Sequence, residues 1–313
     1  MNIKHNAAVL MVSGRKEILP KTLSLFYENW NNYFKYPVYI YDIGDVYSKD
    51  EIKFYESKFE TLTFVKLFPI IPSNINEKDL FYNRTYNRYV KKKFDYQRIG
   101  YLHMIYFKSN MSLFGEWKCE NQFLKDYDYL MIIDDDSWFK KKIEFDLFNK
   151  LDNFPIVTAV SGIYRDKNLS RTRENLLKFI KKYVEKENID VKNQSLKNIL
   201  KLEDDNALTD LTFSIGNLDL FDLRVFKSEK YQKYIQSVNN FGGQYKHRWG
   251  DIEITNIFVH LYYERGIYSY NLSDEIYSPQ YPGIEPVYYN QNKSIIIQFI
   301  LRILRKIKKL LFN

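Results

Sequence analysis

Tyr129-Leu-Met-Ile-Ile-Asp-Asp-Asp-Ser-Trp-Phe139 is the stretch that decides how this chain folds. Four consecutive apolar residues, Leu130 to Ile133, stop at three carboxylates. A short apolar run without alternation reads as a strand buried on both faces, as in a parallel sheet. Asp134, Asp135 and Asp136 then lie just past its carboxyl end. Open α/β sheets hold their ligands at that edge. Asp134 and Asp136, one residue apart, can offer hard oxygen donors to one divalent cation, Mn²⁺ or Mg²⁺. A cation held there can bridge the phosphates of a nucleotide. The same triplet also suits an exposed acidic turn, so the surrounding sequence must decide.

Upstream, Ala7 to Val12 reads as a first buried strand, followed by the turn Ser13-Gly-Arg-Lys-Glu17 and an amphipathic helix over residues 18–33. Tyr36 to Asp42 and Thr61 to Leu67 read as further strands, with a helix over Ser48 to Phe59 between them. This alternation predicts a βαβ half-sheet with a nucleotide over its carboxyl ends. Arg15 and Asp42, at the ends of the first two strands, are candidate nucleotide contacts or simply solvated loop charges. Downstream, residues 97–117, Ser228 to Val238 and Asp251 to Tyr263 have helical period. So does a lysine-rich excursion over 168–203, which is placed to cover the site. Ile156 to Val160 and Asp210 to Leu220 read as strands. The expected architecture is one α/β domain over residues 1–290, its central sheet flanked by helices.

The chain has 313 residues, 45% hydrophobic and 27% charged, the balance of a globular protein with a sizeable core. One cysteine, Cys119, excludes an internal disulfide. The opening residues hold no apolar run of the length that a signal peptide or membrane span requires. The net charge of +8 is unevenly placed. Six positive residues (Lys293, Arg302, Arg305, Lys306, Lys308 and Lys309) fall within 293–313, which contains no acid. The rest is nearly neutral and carries no nucleic-acid motif, so no nucleic-acid partner is expected. In 293–313, Ile296, Phe299, Ile300, Ile303, Ile307 and Leu310 recur at helical spacing opposite Arg302, Arg305 and Lys309. The charges exclude a comfortable membrane span. The pattern predicts a basic helix lying on an anionic membrane surface, or packing on the protein's own body. A cytoplasmic, membrane-peripheral protein is the expectation.

Four segments, in order, sharpen the reading. They are Tyr101-Leu-His-Met-Ile-Tyr-Phe107, the acidic stretch with Phe145-Asp-Leu-Phe148, Phe213-Ser-Ile-Gly-Asn-Leu-Asp-Leu-Phe-Asp222, and Gly242-Gly-Gln-Tyr-Lys-His-Arg-Trp-Gly-Asp251. Their order and spacing resemble the fungal α-1,2-mannosyltransferases of glycosyltransferase family 15. Those carry a Y-R-H-M helix, an E-P-x-V-x-F turn, an N-F-E-I strand and a G-G-x-x-x-x-R-W-G-D segment. The resemblance runs from about residue 7 to about residue 283, and the last segment is its most specific part. It implies a GT-A (Rossmann-like) nucleotide-sugar transferase fold with a mixed central sheet, and a Mn²⁺ cofactor. It also implies GDP-mannose or another nucleotide sugar as donor, a glycan or lipid-linked acceptor, and retention of anomeric configuration. By position, it implies that Asp134 takes the place of the family's metal-site glutamate and Asp136 the second acidic position. It places Tyr101 and His103 on the helix lining the substrate cleft. Asp219 falls where the family has a glutamate discussed as nucleophile or transition-state stabiliser, and Arg248, Trp249 and Asp251 match the final motif. Four positions depart from the pattern. Asp135 replaces a proline, Leu102 an arginine, Asp219 a longer glutamate, and Ser278 a metal-ligating histidine.

Asp219 suits attack on an anomeric carbon or stabilisation of an oxocarbenium-like state. On a strand it also suits a structural hydrogen-bonding role. Asp251 suits taking a proton from an acceptor hydroxyl, or pairing with Arg248. His103 fits a hydrogen-bonded cleft or core residue better than a general base. Trp249 fits packing or a platform beneath a sugar ring. The expected activity is metal-dependent hexosyl transfer. A nucleotidyl or phosphoryl transferase is the competing enzyme class, but the sequence lacks a G-x-x-x-x-G-K loop. A non-catalytic, membrane-bound carbohydrate-binding relative is the third reading, and Ser278 lends it weight.

Overall fold

The computed structural model describes residues 5–278 apart from 44, 82–97, 112, 120–122, 152, 160, 164–171, 215, 271 and 273–275. They belong to the first of two units into which the chain divides, Met1–Gly283. The expected boundary near 290 and the amphipathic segment 293–313 lie outside the described residues.

The strands are Ala7–Ser13 (β1), Val38–Ile43 (β2), Leu62–Pro69 (β3), Trp117–Cys119 (β4), Tyr129–Asp134 (β5) and Trp138–Phe139 (β6). Ile156–Thr158 (β7), Ser161–Ile163 (β8), Thr212–Ser214 (β9), Leu218–Asp222 (β10), Ile267–Ser269 (β11) and Tyr277–Ser278 (β12) follow. An eight-stranded sheet runs β11-β7-β10-β5-β1-β2-β3-β4. β3, β2, β1 and β5 are parallel, while β10 enters antiparallel against both β5 and β7. The sheet is therefore mixed, with a parallel half whose carboxyl ends, Ser13, Ile43 and Asp134, share one edge. β6 pairs with β12 and β8 with β9 in two small ribbons.

Strand parity divides the core. Ala8, Leu10, Leu130 and Ile132 enter one apolar cluster, and Ala7, Val9, Met131 and Ile133 enter another. β5 is thus buried on both faces, which explains its unbroken apolar sequence. Parity also sends Asp134 to the face of Leu130 and Ile132, and the register opposite Ile132 sends Asp219 there too.

The principal helices are Leu19–Phe26 (α1), Lys49–Lys58 (α2), Arg98–Ser109 (α3), Leu176–Lys186 (α4), Gln194–Ile199 (α5), Glu229–Phe241 (α6) and Asp251–Tyr262 (α7). α1 has Pro20 in its first turn and runs on through a π-helical turn at Tyr27–Asn31. A reciprocal Ser48–Glu51 capping box starts α2. No described helix is long and apolar enough to cross a membrane.

Three elements differ from their sequence expectation. The 97–117 helix stops at Ser109, because Asn110 Nδ2 turns back to the Tyr106 carbonyl at 2.7 Å and Met111 adopts φ 51°. Among the described residues, the 168–203 excursion contains two helices, α4 and α5, separated where Asn188 takes φ 49°. α4 buries Leu176, Leu177, Phe179, Ile180 and Tyr183 in the main cluster, so it is part of the core and not a detached cover. The 210–220 strand is broken into β9 and β10, which belong to different sheets. Gly216 marks the break with φ 80°, and a Cβ there would collide with Ile252.

Candidate active site

Asp134 ends β5, and a tight turn carries the chain to β6. Ser137 N–H donates to the Asp134 carbonyl at 3.0 Å, closing the turn over Asp135 and Asp136. The turn is pinned by Asn217, the residue before β10, since Asp134 N–H donates to its carbonyl at 2.9 Å and Ser137 Oγ to the same carbonyl at 2.9 Å.

The middle aspartate is the anchor. Asp135 is buried and its carboxylate accepts from Ser13 Oγ at 3.0 Å and from Arg15 Nη2. Ser13 spends its one hydrogen on Asp135, so Tyr47 donates to Ser13 Oγ, at 2.7 Å. Thr22 donates to the Asp135 carbonyl at 2.6 Å. Arg15 bridges onward to Asp136 at 3.0 Å. Burial works against the Arg15 charge, but the two aspartates more than offset it and raise its pKa.

Asp134 faces the other way, into a cluster of charge beneath α3 and α7. Lys108 Nζ on α3 lies 2.5 Å from Asp134 Oδ1, and Asn217 Nδ2 donates to Oδ2 at 3.1 Å. Lys108, Asp219 and Asp251 line one small cavity, together with Gly216, Thr255 and the apolar Met111, Ile132, Phe221 and Ile252. Asp219 is 3% exposed and, among the described residues, its Oδ1 has no hydrogen-bond partner. Burial pushes its carboxyl up to about 6; bonds from Thr158 and Ser214 oppose the shift and the charges of Asp251 and Asp134 add to it. Asp251 opens α7, where the helix dipole favours an anion. Burial again raises it to about 6, opposed by Lys108 and assisted by Asp134. Burial disfavours the Lys108 ammonium, yet Asp134 and Asp251 outweigh that cost and raise its pKa. The site therefore holds two carboxyls poised near neutrality beside a fixed cation.

The residues expected from sequence divide between this site and its supports. Arg15, Asp134, Asp136, Asp219 and Asp251 converge on the turn and its cavity. Tyr101, 38% exposed, lies under the Arg248 guanidinium, 4.7 Å from its ring centre. Arg248 sits at φ 58°, a left-handed conformation uncommon for a residue with a Cβ. Asp42 is corrected from a nucleotide contact. It is fully buried, and its oxygens accept from Val46 N–H at 2.9 Å and Tyr47 N–H at 3.2 Å. It shapes the loop that brings Tyr47 to Ser13. His103 takes the hydrogen-bonded core setting, one of the alternatives that its sequence reading left open. It is buried, shares a hydrogen bond with Tyr245 Oη at 2.9 Å, and burial lowers its pKa to about 4. Helical rotation turns it away from the face of Tyr101 and Lys108.

Trp249 takes the packing role, one of the two that its sequence reading left open. It is fully buried, stacks on Phe241 at 4.9 Å, and donates from Nε1 to the Glu174 carbonyl at 2.9 Å. Gly243 allows this packing, because a Cβ there would overlap the indole. Trp249→Ala is expected to lower stability by about 4 kcal/mol, read by chemical denaturation. An unchanged midpoint would return Trp249 to the list of ligand contacts. Ser278 stands opposite Trp138 in the β6–β12 ribbon, so its position borders the acidic turn.

Sequence reasoning missed Lys108, Ser13, Tyr47 and Thr22. Lys108 had a signal, since it follows Tyr101 by two helical turns and is a lone cation after an apolar run. The other three had none.

Among the described residues, no group of three or more His, Cys, Asp or Glu side chains is arranged to hold a metal ion. Asp134 and Asp136 offer oxygens from partly exposed carboxylates, 28% and 14% accessible. That donor set fits a hard divalent ion that takes its other ligands from phosphate and water, as Mg²⁺ does at phosphoryl sites.

A family model described as glycolipid 2-alpha-mannosyltransferase matches residues 1–270. The probable mannosyltransferase KTR3 of Saccharomyces cerevisiae is 24% identical over 171 residues, 53% of this chain. The match spans only 39% of that curated relative's own length. Two crystal structures superpose with similar folds. Core-mannan synthase A (CmsA/Ktr4) of Aspergillus fumigatus, in a Mn/GDP form, gives a TM-score of 0.69 at 18% identity, covering 88% of this chain and 74% of its own. The mannosyltransferase Ktr4p of S. cerevisiae, with GDP, gives 0.68 at 20% identity, covering 88% and 71%.

Proposed function

This chain belongs to glycosyltransferase family 15, and on that premise we propose that it transfers mannose from GDP-mannose to a hydroxyl of a glycan or glycolipid with retention of configuration. The observation that carries the proposal is the shared cavity of Asp219, Asp251 and Lys108. It lies on the sheet face to which Asp134 also points, at the carboxyl edge of the parallel strands. The Mn/GDP form of the Aspergillus relative supports the choice of donor and ion.

A divalent ion, Mn²⁺ or Mg²⁺, held by Asp134 and Asp136 would neutralise the leaving diphosphate as a Lewis acid. The remaining chemistry falls to the chain. Asp219 lines the cavity and keeps one oxygen without a hydrogen bond among the described residues, and so can meet positive charge developing at an anomeric carbon. Covalent attack and electrostatic stabilisation both use that oxygen. Asp251, raised to about 6, is matched to accept a proton from the acceptor hydroxyl near neutral pH. Arg15 locks Asp135 and Asp136 into the turn, and Tyr101 with Arg248 forms the rim for substrate. Residues 293–313, with six positive charges and no acid, would hold this catalytic domain peripherally at an anionic, cytoplasmic membrane surface.

A panel of nucleotide sugars, assayed for hydrolysis and transfer with and without chelator, tests the reading. GDP-mannose turnover that disappears on chelation is expected. Turnover of no nucleotide sugar would sink it.

A further inference from the structure

We propose that Lys108 is a resident counter-cation of the acidic turn. It competes with the divalent ion for Asp134 and so makes ion and nucleoside diphosphate bind as a pair. The inference deepens the metal-dependent reading above and rests on it.

Both oxygens of Asp134 are already engaged. Lys108 Nζ lies 2.5 Å from Oδ1, and Asn217 Nδ2 donates to Oδ2 at 3.1 Å. An ammonium has three donors and no acceptor, so it can only repel a second cation at the same carboxylate. Lys108 cannot retreat to solvent and stays beside the turn, because its side chain is 4% exposed and its cavity is walled by Met111, Ile132, Phe221 and Ile252. Asp219 and Asp251 line that cavity as well, so the ammonium has other carboxylates to turn to when an ion takes Asp134.

An ion arriving alone adds its double charge beside a fixed positive one. A diphosphate supplies the negative oxygens that offset this excess. The ion therefore binds weakly by itself and tightly with the nucleotide, and linkage requires the ion to strengthen nucleotide binding by the same factor. Leu102, where the family's helix carries arginine, is fully buried. Lys108, two turns beyond Tyr101 on α3, is the cation that this helix brings to Asp134.

Mn²⁺ binding, followed by loss of the free-ion EPR signal with and without GDP, tests the proposal on the wild-type chain, Lys108→Met and Lys108→Arg. The wild-type chain is expected to bind Mn²⁺ about tenfold or more tightly with GDP than without. Lys108→Met is expected to bind Mn²⁺ alone about tenfold more tightly than wild type, with a smaller gain from GDP. Lys108→Arg, which keeps the charge, is expected to stay near wild type. Equal or weaker Mn²⁺ binding by a folded Lys108→Met would overturn this proposal and leave the metal site standing. No binding by any variant, with or without GDP, overturns both. If circular dichroism shows Lys108→Met to be unfolded, Lys108→Gln keeps the stem and carries the same expectations.

Discussion

Asp219→Asn is expected to reduce sugar transfer by about 10³-fold, keep nucleotide binding, and make the protein more stable at pH 8 but not at pH 4. The loss of transfer follows from Asp219 Oδ1, a buried carboxylate oxygen that no hydrogen bond satisfies among the described residues. An amide there can still accept from Thr158 and Ser214, so the strand is preserved, but it offers neither a nucleophile nor a full negative charge. The gain in stability follows from the titration. The native carboxyl is raised to about 6 from an ordinary 3.8. Between those values the native protein holds a proton that the unfolded chain has shed. Stability therefore falls as pH rises from about 4 to about 6, and the penalty of about 3 kcal/mol persists above that range. Asparagine removes the penalty, so the melting temperatures of mutant and wild type should diverge with rising pH. Wild-type transfer should in turn weaken below about pH 6, as Asp219 and Asp251 take up protons as a coupled pair. A mutant with near-normal turnover would remove Asp219 from the chemistry. A stability difference independent of pH would show that its native carboxyl is not raised.

Asp134→Ala is expected to abolish Mn²⁺ binding, lower transfer by about 10³-fold or more, and destabilise the fold by about 3 kcal/mol. The last effect is the discriminating one. An exposed acidic loop would lose nothing on truncation, since surface pairs contribute little. Here the truncation removes the carboxylate bonded to Lys108, whose side chain is only 4% exposed, and leaves a buried ammonium with less compensating charge. The double substitution with Lys108→Met is expected to recover most of the stability and none of the transfer. Additive losses in that double mutant would mean that the two side chains do not act as a pair.

The local elements were legible because their causes are local. An apolar run with no alternation specifies a strand covered on both faces, and its abrupt end places the carboxylates at the ligand-bearing edge. Tyr101-Leu-His-Met and Gly242 to Asp251 pointed to the family because residue types at fixed spacing survive where much of the sequence does not. Other readings failed at features that depend on distant partners or on single backbone angles. The 210–220 strand broke at Gly216, and the 97–117 helix at the Asn110–Met111 turn. Tryptophan in a conspicuous motif is equally suited to a sugar and to a core, and only the Phe241 ring beneath Trp249 shows which.

Sequence by itself determined the α/β sheet, the acidic turn at its carboxyl edge and the four segments that build the site. Tertiary structure alone decided which charges meet. Asp135 reaches Ser13 across 122 residues of chain, and Asn217 reaches Asp134 across 83. Periodicity shows that Lys108 shares a helix face with Tyr101, but not that this face closes over Asp134 and Asp219. That choice is made by burial: the helix packs where its apolar residues fit the sheet, and the lysine it carries inward must find a carboxylate there.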